Sequence, residues 1–218
     1  MDQNLIVFDI DGTLTDSMDI HHEAFMVALA HIGVSNYVPF QRKFKHFTDS
    51  YVVKDIFEFS TNQIFTESHF ASFSKCLTAE ILKHEIPEIL GAKELVSHLH
   101  KKSNYSICFA TGSLLEPAKH KLISTSIPFN EAILATSDKI EVREEIVQEA
   151  INKAESFYNT KFNRIISIGD GLWDLQVARN LGLEFIGIGS EHRKALKEKG
   201  CKIHFNNPKE LLGGYFRD

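Results

Sequence analysis

The sequence predicts an α/β fold: a parallel sheet with helices on both faces, interrupted by a separate all-helical insertion. Three observations carry this. Short apolar runs that end abruptly in Gly, Asp, Thr or Ser recur along the chain, as strands buried on both faces do. Apolar residues at helical spacing separate the later runs, and strand–helix alternation implies parallel pairing through helical crossovers. Between about Ser17 and Glu88 the pattern is helical throughout, with no strand-like run.

The first strand is expected over Leu5–Ile10, inside NLIVFDIDGTLT. The insertion follows. Residues Asp19–His31 carry Ala24, Phe25, Ala28 and Leu29 on one side, and Ser50–Phe59 carry Val53, Ile56 and Phe57. Glu67–Glu85 carries Phe70, Phe73, Leu77 and Ile81 at spacings of 3, 4 and 4. Many of the 17 phenylalanines fall here, enough for a small core of its own. Pro87 and Gly91 mark the return. Strands are then expected over Ser106–Ala110, Ala132–Ala135, Arg164–Ile168 and Glu184–Ile188, with a weaker sixth at Lys202–Phe205. The helix Arg143–Phe157 sets Ile146, Val147, Ala150, Ile151 and Ala154 on one face. The domains read as a Rossmann-like core over residues 1–16 and 88–218 and a helical unit over residues 17–87.

Composition bounds the function. The chain has 218 residues, 43% hydrophobic and 24% charged, ordinary for a globular protein with a sizeable core. A formal charge of −5 argues against nucleic acid as a partner. No run reaches the length of a membrane span, and MDQNLIVFD has no basic start or cleavage-like region. Cys76, Cys108 and Cys201 are far apart, which fits a reducing compartment. A cytoplasmic monomer or homodimer is expected, without a membrane partner.

Open parallel sheets bind ligands at the carboxyl ends of their strands. The first strand ends in Asp9, Asp11, Gly12 and Thr13, the second in Thr111, Gly112 and Ser113, the fourth in Gly169, Asp170, Gly171 and Asp174. Four aspartates in one crevice repel each other and call for a cation. Hard oxygen donors without nearby His or Cys favour Mg²⁺, which suits phosphate substrates. Glycines 12, 112 and 171 would bring backbone N–H groups close to an anion. Carboxylates at i and i+2 permit a division of labour, one attacking phosphorus and the other moving protons. The like charge of Asp9 would favour a partly protonated Asp11.

FDIDGTLTDS resembles the DxDGT signature of the haloacid dehalogenase superfamily. ICFATGS is similar to its second motif, and IISIGDGLWD to its fourth, GDxxxD. The resemblance covers essentially the whole chain. It implies that Asp9 is the nucleophile and Asp11 the general acid/base. Asp9, the backbone carbonyl of Asp11 and Asp170 would hold Mg²⁺, with Asp174 as a further ligand or support. Thr111 and the N–H of Gly112 would bind the phosphoryl group, and the insertion resembles the family's helical C1 cap. The third motif departs from the pattern: TSDKIEVREEIV has neither proline of KPxP. Arg143, 27 positions before Asp170, is preferred to Lys139, 31 positions before it.

In the cap, His21 and His22 open the first helix and Thr48 with Asp49 the second; His22 and Thr48 are expected to bind substrate. Asp16 would stabilise the hinge, and Trp173 would pack at the sheet edge. The implied activity is a Mg²⁺-dependent phosphatase for a small phosphorylated metabolite, organised like phosphoglycolate phosphatase and acting through an aspartyl phosphate. A phosphomutase of the β-phosphoglucomutase type and a non-catalytic phosphate-binding module are the alternatives. Dehalogenase activity is disfavoured by the acid at position 11, and phosphonatase activity by the lack of a suitably placed cap lysine.

Overall fold

The computed structural model describes residues 4–35, 44–102 and 104–216. In chain order it contains β1 (Asn4–Phe8), α1 (Met18–His31), α2 (Asp49–Thr61), α3 (Glu67–Ile81), α4 (Ala92–Lys102), β2 (Tyr105–Ala110) and α5 (Leu115–Ser124). Then follow β3 (Leu134–Ala135), α6 (Arg143–Tyr158), β4 (Arg164–Gly169), α7 (Leu172–Asn180), β5 (Glu184–Ile188), α8 (Arg193–Glu198), β6 (Ile203–Phe205) and α9 (Pro208–Gly214).

The six strands form one parallel sheet in the order β3-β2-β1-β4-β5-β6. The chain runs outward from β1 through β2 and β3, then returns across β1 to build β4, β5 and β6 on the other side. That reversal makes β1 the topological switch point, where a ligand crevice forms. β1 is central because Leu5, Ile6, Val7 and Phe8 are apolar on both faces; each is buried. Phe8 lies opposite Phe109 on one side and Ile168 on the other, and its ring stacks on that of Phe109.

Most elements differ by a residue or two from the sequence expectation at their ends, and the differences in β1, β3 and α3 have identifiable local structure. β1 stops at Phe8 rather than Ile10, although the Asp9 N–H still donates to the Ile168 carbonyl at 3.0 Å. The chain then coils on itself, the N–H groups of Thr13, Leu14 and Thr15 all pointing to the Ile10 carbonyl. β3 shrinks because residues Glu131–Ile133 form a single 3-10 turn, capped by the Asn130 side chain. α3 ends at Ile81, four residues before Glu85.

Helices α1, α2 and α3 share an apolar cluster separate from the sheet's own core. It contains Ala24, Phe25, Leu29, Val53, Phe57, Phe73 and Leu77, with Phe25 and Phe73 in edge-to-face contact at 4.9 Å. Leu114, which precedes α5, reaches into the same cluster, so the helical unit is seated on the sheet unit by apolar contact. The two connecting segments are bound to each other: the Asp16 N–H donates to the Pro87 carbonyl at 2.9 Å and Thr15 pairs with Glu88. Asp16 itself is exposed. Among the described residues no helix is long and apolar enough to cross a membrane.

Candidate active site

The carboxyl ends of β1 and β4 bring Asp9, Asp170 and Asp174 together, all buried, with carboxylate oxygens within 4.8 Å of one another. The Thr13 hydroxyl stands between two of them, 3.2 Å from Asp9 Oδ2 and 3.4 Å from Asp170 Oδ1. Gly12, at a φ of +74°, is required here: a Cβ would lie 2.5 Å from Asp170 Oδ2. Asp174 sits in the first turn of α7. Its Oδ2 accepts the Gly171 N–H at 3.0 Å, and its Oδ1 accepts from Arg143 Nη2 at 3.1 Å.

Arg143 begins α6 and is 5% exposed. Its guanidinium also hydrogen-bonds Asp9 Oδ1. Burial comes first in pushing the Asp9 carboxyl up, followed by the charge of Asp174; Arg143 opposes both. Asp170 is raised for the same leading reasons, burial and then Asp174. Arg143 is held charged by Asp9 and Asp174 against the cost of its own burial. The cluster is thus three buried carboxylates with one bound cationic partner, all-oxygen in its donors. That composition fits a hard divalent cation.

Asp11 faces another way. Burial would raise its pKa, but the charge of Lys121 and hydrogen bonds from Lys121 and Ser17 outweigh it and hold it well below the usual carboxylate range. Oδ1 accepts from Ser17 Oγ at 2.5 Å and lies 2.5 Å from Lys121 Nζ. Oδ2 accepts from Ser113 Oγ at 3.1 Å and Thr111 Oγ1 at 3.3 Å. The expectation that Asp9 would keep Asp11 partly protonated is corrected by these donors, which the neighbour's charge does not overcome.

The start of α2 closes one side of the site. The Asp49 N–H donates to the Gly112 carbonyl at 2.8 Å, and Asp49 Oδ2 accepts the Leu114 N–H at 3.0 Å. A Cβ on Gly112 would lie 2.4 Å from the Phe47 carbonyl oxygen, so only glycine lets this segment come so close. Phe47 stacks on Trp173 at 4.9 Å. Beside them opens a cleft of about 350 Å³, lined by His46, Phe47, Arg143, Trp173 and His192 among others.

Asp9, Asp11, Thr111, Gly112, Arg143, Asp170 and Asp174 therefore all lie at this sheet edge, whereas Lys139 is exposed. Two expected substrate-binding residues are placed otherwise. His22 is exposed, and it is His21 that turns inward. The Thr48 hydroxyl is engaged as the cap of α2, accepting from Tyr51 N while donating to the Glu141 carbonyl at 2.8 Å. Two of the three glycine N–H groups expected to meet an anion are also engaged, Gly12 with the Thr15 carbonyl and Gly171 with Asp174. Sequence reasoning missed Lys121, 0% exposed on α5. Its signal was a lysine at helical spacing on the same face as Ala118 and Leu122.

The chain matches the family model "Haloacid dehalogenase-like hydrolase" over residues 6–188. Solved structures agree in fold. A hydrolase from Pseudomonas syringae is 22% identical with a TM-score of 0.68, covering 97% of each chain. CbbY from Rhodobacter sphaeroides, in complex with phosphate, is 17% identical with a TM-score of 0.71, covering 95% of each chain. A variant of CbbY was solved with xylulose-(1,5)bisphosphate; it is 16% identical with a TM-score of 0.72, again covering 95% of each chain. No match was found among curated proteins. With the family model covering most of its length and the motif aspartates gathered at one sheet edge, the chain belongs to the haloacid dehalogenase-like hydrolases.

Proposed function

We propose that this protein is a Mg²⁺-dependent phosphatase of small phosphorylated metabolites, with residues 17–87 acting as a cap over the site. The observation that carries it is the separation of two carboxylates only two positions apart. Asp9 points into the acidic cluster with Asp170 and Asp174, while Asp11 points to Ser113 and Lys121, donors beyond the end of β2 and on α5. One is placed to attack and the other to handle the proton, as a two-step displacement needs.

Asp9, Asp170 and the backbone carbonyl of Asp11 would hold the ion, with Asp174 orienting the set through Arg143 and the Gly171 N–H. The ion would supply charge neutralisation for the phosphoryl oxygens. Asp9 attacks phosphorus and the ester bond to the leaving oxygen breaks, giving an aspartyl phosphate. Arg143, held charged beside Asp9, offsets the charge that develops. Asp11, ionised in the resting site, takes up a proton from solvent as the phosphate ester binds, delivers it to the leaving alcohol and, as the carboxylate again, takes one from the water that cleaves the aspartyl phosphate. Thr111 steadies the phosphoryl group alongside Asp11. The cleft beside Phe47 and Trp173 has room for a small leaving group. That CbbY was solved with phosphate, and a variant of it with a sugar bisphosphate, supports a phosphate ester as the substrate class.

The test is phosphate release from a panel of phosphomonoesters with and without Mg²⁺, with Asp9→Asn as control. Release that requires Mg²⁺ and falls by at least about 10³-fold in Asp9→Asn is expected. Absence of turnover on every ester would overturn the phosphatase reading, and equal turnover by Asp9→Asn would overturn the nucleophile.

A further inference from the structure

The hydrolytic scheme gives no work to Lys121, yet its placement is the most demanding in the site. It is fully buried on α5 beside Pro117, Ala118 and Leu122, where an ammonium must be fully paired. Its three hydrogens have three acceptors: Asp11 Oδ1 at 2.5 Å, Ser113 Oγ at 2.7 Å and His21 Nδ1 at 2.9 Å. Ser113 passes its own hydrogen on to Asp11 Oδ2.

His21 accepts at Nδ1 only while its proton sits on Nε2. Asp49 keeps it there, with Oδ1 2.8 Å from Nε2, and Oδ2 accepts the Leu114 N–H. Both oxygens of Asp49 are thus committed, one to the histidine and one to the backbone beside the second motif. His21 rides on α1 and Asp49 on α2, whereas Lys121, Ser113 and Asp11 belong to the sheet unit.

We propose that Lys121 is a positioning residue which, through His21 and Asp49, makes the orientation of the Asp11 carboxylate depend on the docked position of the cap. When α1 and α2 withdraw, Lys121 loses one of three acceptors and must reorient, taking Asp11 with it. The kinetic consequence rests on the phosphatase reading; the mechanical coupling does not.

Both are tested on the full chain. Hydrogen exchange of the Asp49 and Leu114 amides reports docking. In Lys121→Met these amides are expected to exchange at least about tenfold faster, with the β1 and β4 amides unchanged. Lys121→Gln, which keeps a buried donor but cannot serve three acceptors, serves if Lys121→Met does not fold. Unchanged exchange in a folded Lys121 variant overturns the proposal.

On p-nitrophenyl phosphate, a Lys121 variant should lower kcat by at least about 30-fold with KM within about threefold. Asp49→Asn has one acceptor where two are needed, and should act on the same step. Combined with the Lys121 variant, it should fall no more than about threefold below the worse single variant. Multiplication of the two single effects overturns the coupling. If the wild type hydrolyses no ester, the phosphatase reading fails, while the exchange measurement still decides the coupling.

Discussion

At the scale of single residues, the site is a contrast between two aspartates of one turn. Asp9 and Asp170 sit in a buried acidic cluster and rise to about 7 and about 9, from an ordinary value of 3.8. The folded, metal-free protein therefore holds protons that the unfolded chain has released. Its stability should fall as pH rises from that ordinary value through the two folded values. On the proposed reading Mg²⁺ would take the place of those protons, so its stabilising effect should grow over the same window. Thermal unfolding at about pH 5.5 and about pH 8.5, in EDTA and in Mg²⁺, checks both. Asp11 runs the other way: its contribution is complete above the ordinary carboxylate value and is lost on acidification below it. The two windows do not overlap. A Mg²⁺ increment that shrinks between the two pH values would argue against the cluster as the ion's site.

At the scale of elements, most of the architecture was legible. The stripes in α1, α2 and α3 named Phe25, Val53, Phe57, Phe73 and Leu77, all of which are buried in one cluster. Phe73→Ala should cost about 3–5 kcal/mol if that cluster cannot collapse around the gap, measured by chemical denaturation. A loss confined to α1–α3, with hydrogen exchange of the sheet unaltered, would show that the helical unit unfolds on its own. The short elements were harder to read. β3 is two residues long and shares its segment with a 3-10 turn, and nothing in the local pattern separates the two. α5 was not singled out as an element, because Pro117 and Lys121 interrupt an apolar face that is otherwise plain. Lys121 was missed with it.

At the scale of the whole molecule, the helical unit and the sheet unit meet through polar contacts around α2. Thr48 Oγ1 donates to the Glu141 carbonyl, Ser50 Oγ to the Ile140 carbonyl at 3.3 Å, and Lys54 pairs with Glu141 at 3.1 Å. The last pair is nearly half exposed and contributes little. The buried hydroxyl of Thr48 contributes more, because it both caps α2 and fastens it to the loop before α6. Thr48→Val keeps the shape and removes both bonds. It should cost about 1 kcal/mol and speed proteolytic cleavage of the segment entering α2, with β1 and β4 unaffected. Wild-type cleavage rates in this variant would mean that Leu114 and the Asp49 contacts suffice to hold the unit in place.

The sequence by itself determined the alternation of strands and helices, the helical insertion, and the delivery of Asp9, Asp11, Thr111, Asp170 and Asp174 to one sheet edge. These follow from local periodicity and from the rule that parallel strands point the same way. Only the tertiary structure decided which way each carboxylate faces and which cation serves it. Arg143 reaches Asp9 and Asp174 because α6 packs against β1 and α7, whereas Lys139, four residues earlier, stays in solvent. Lys121 reaches Asp11 from an element 110 positions further along the chain. No spacing rule encodes a contact between residues so far apart in sequence; the packing of α5 against the sheet and the helical unit creates it.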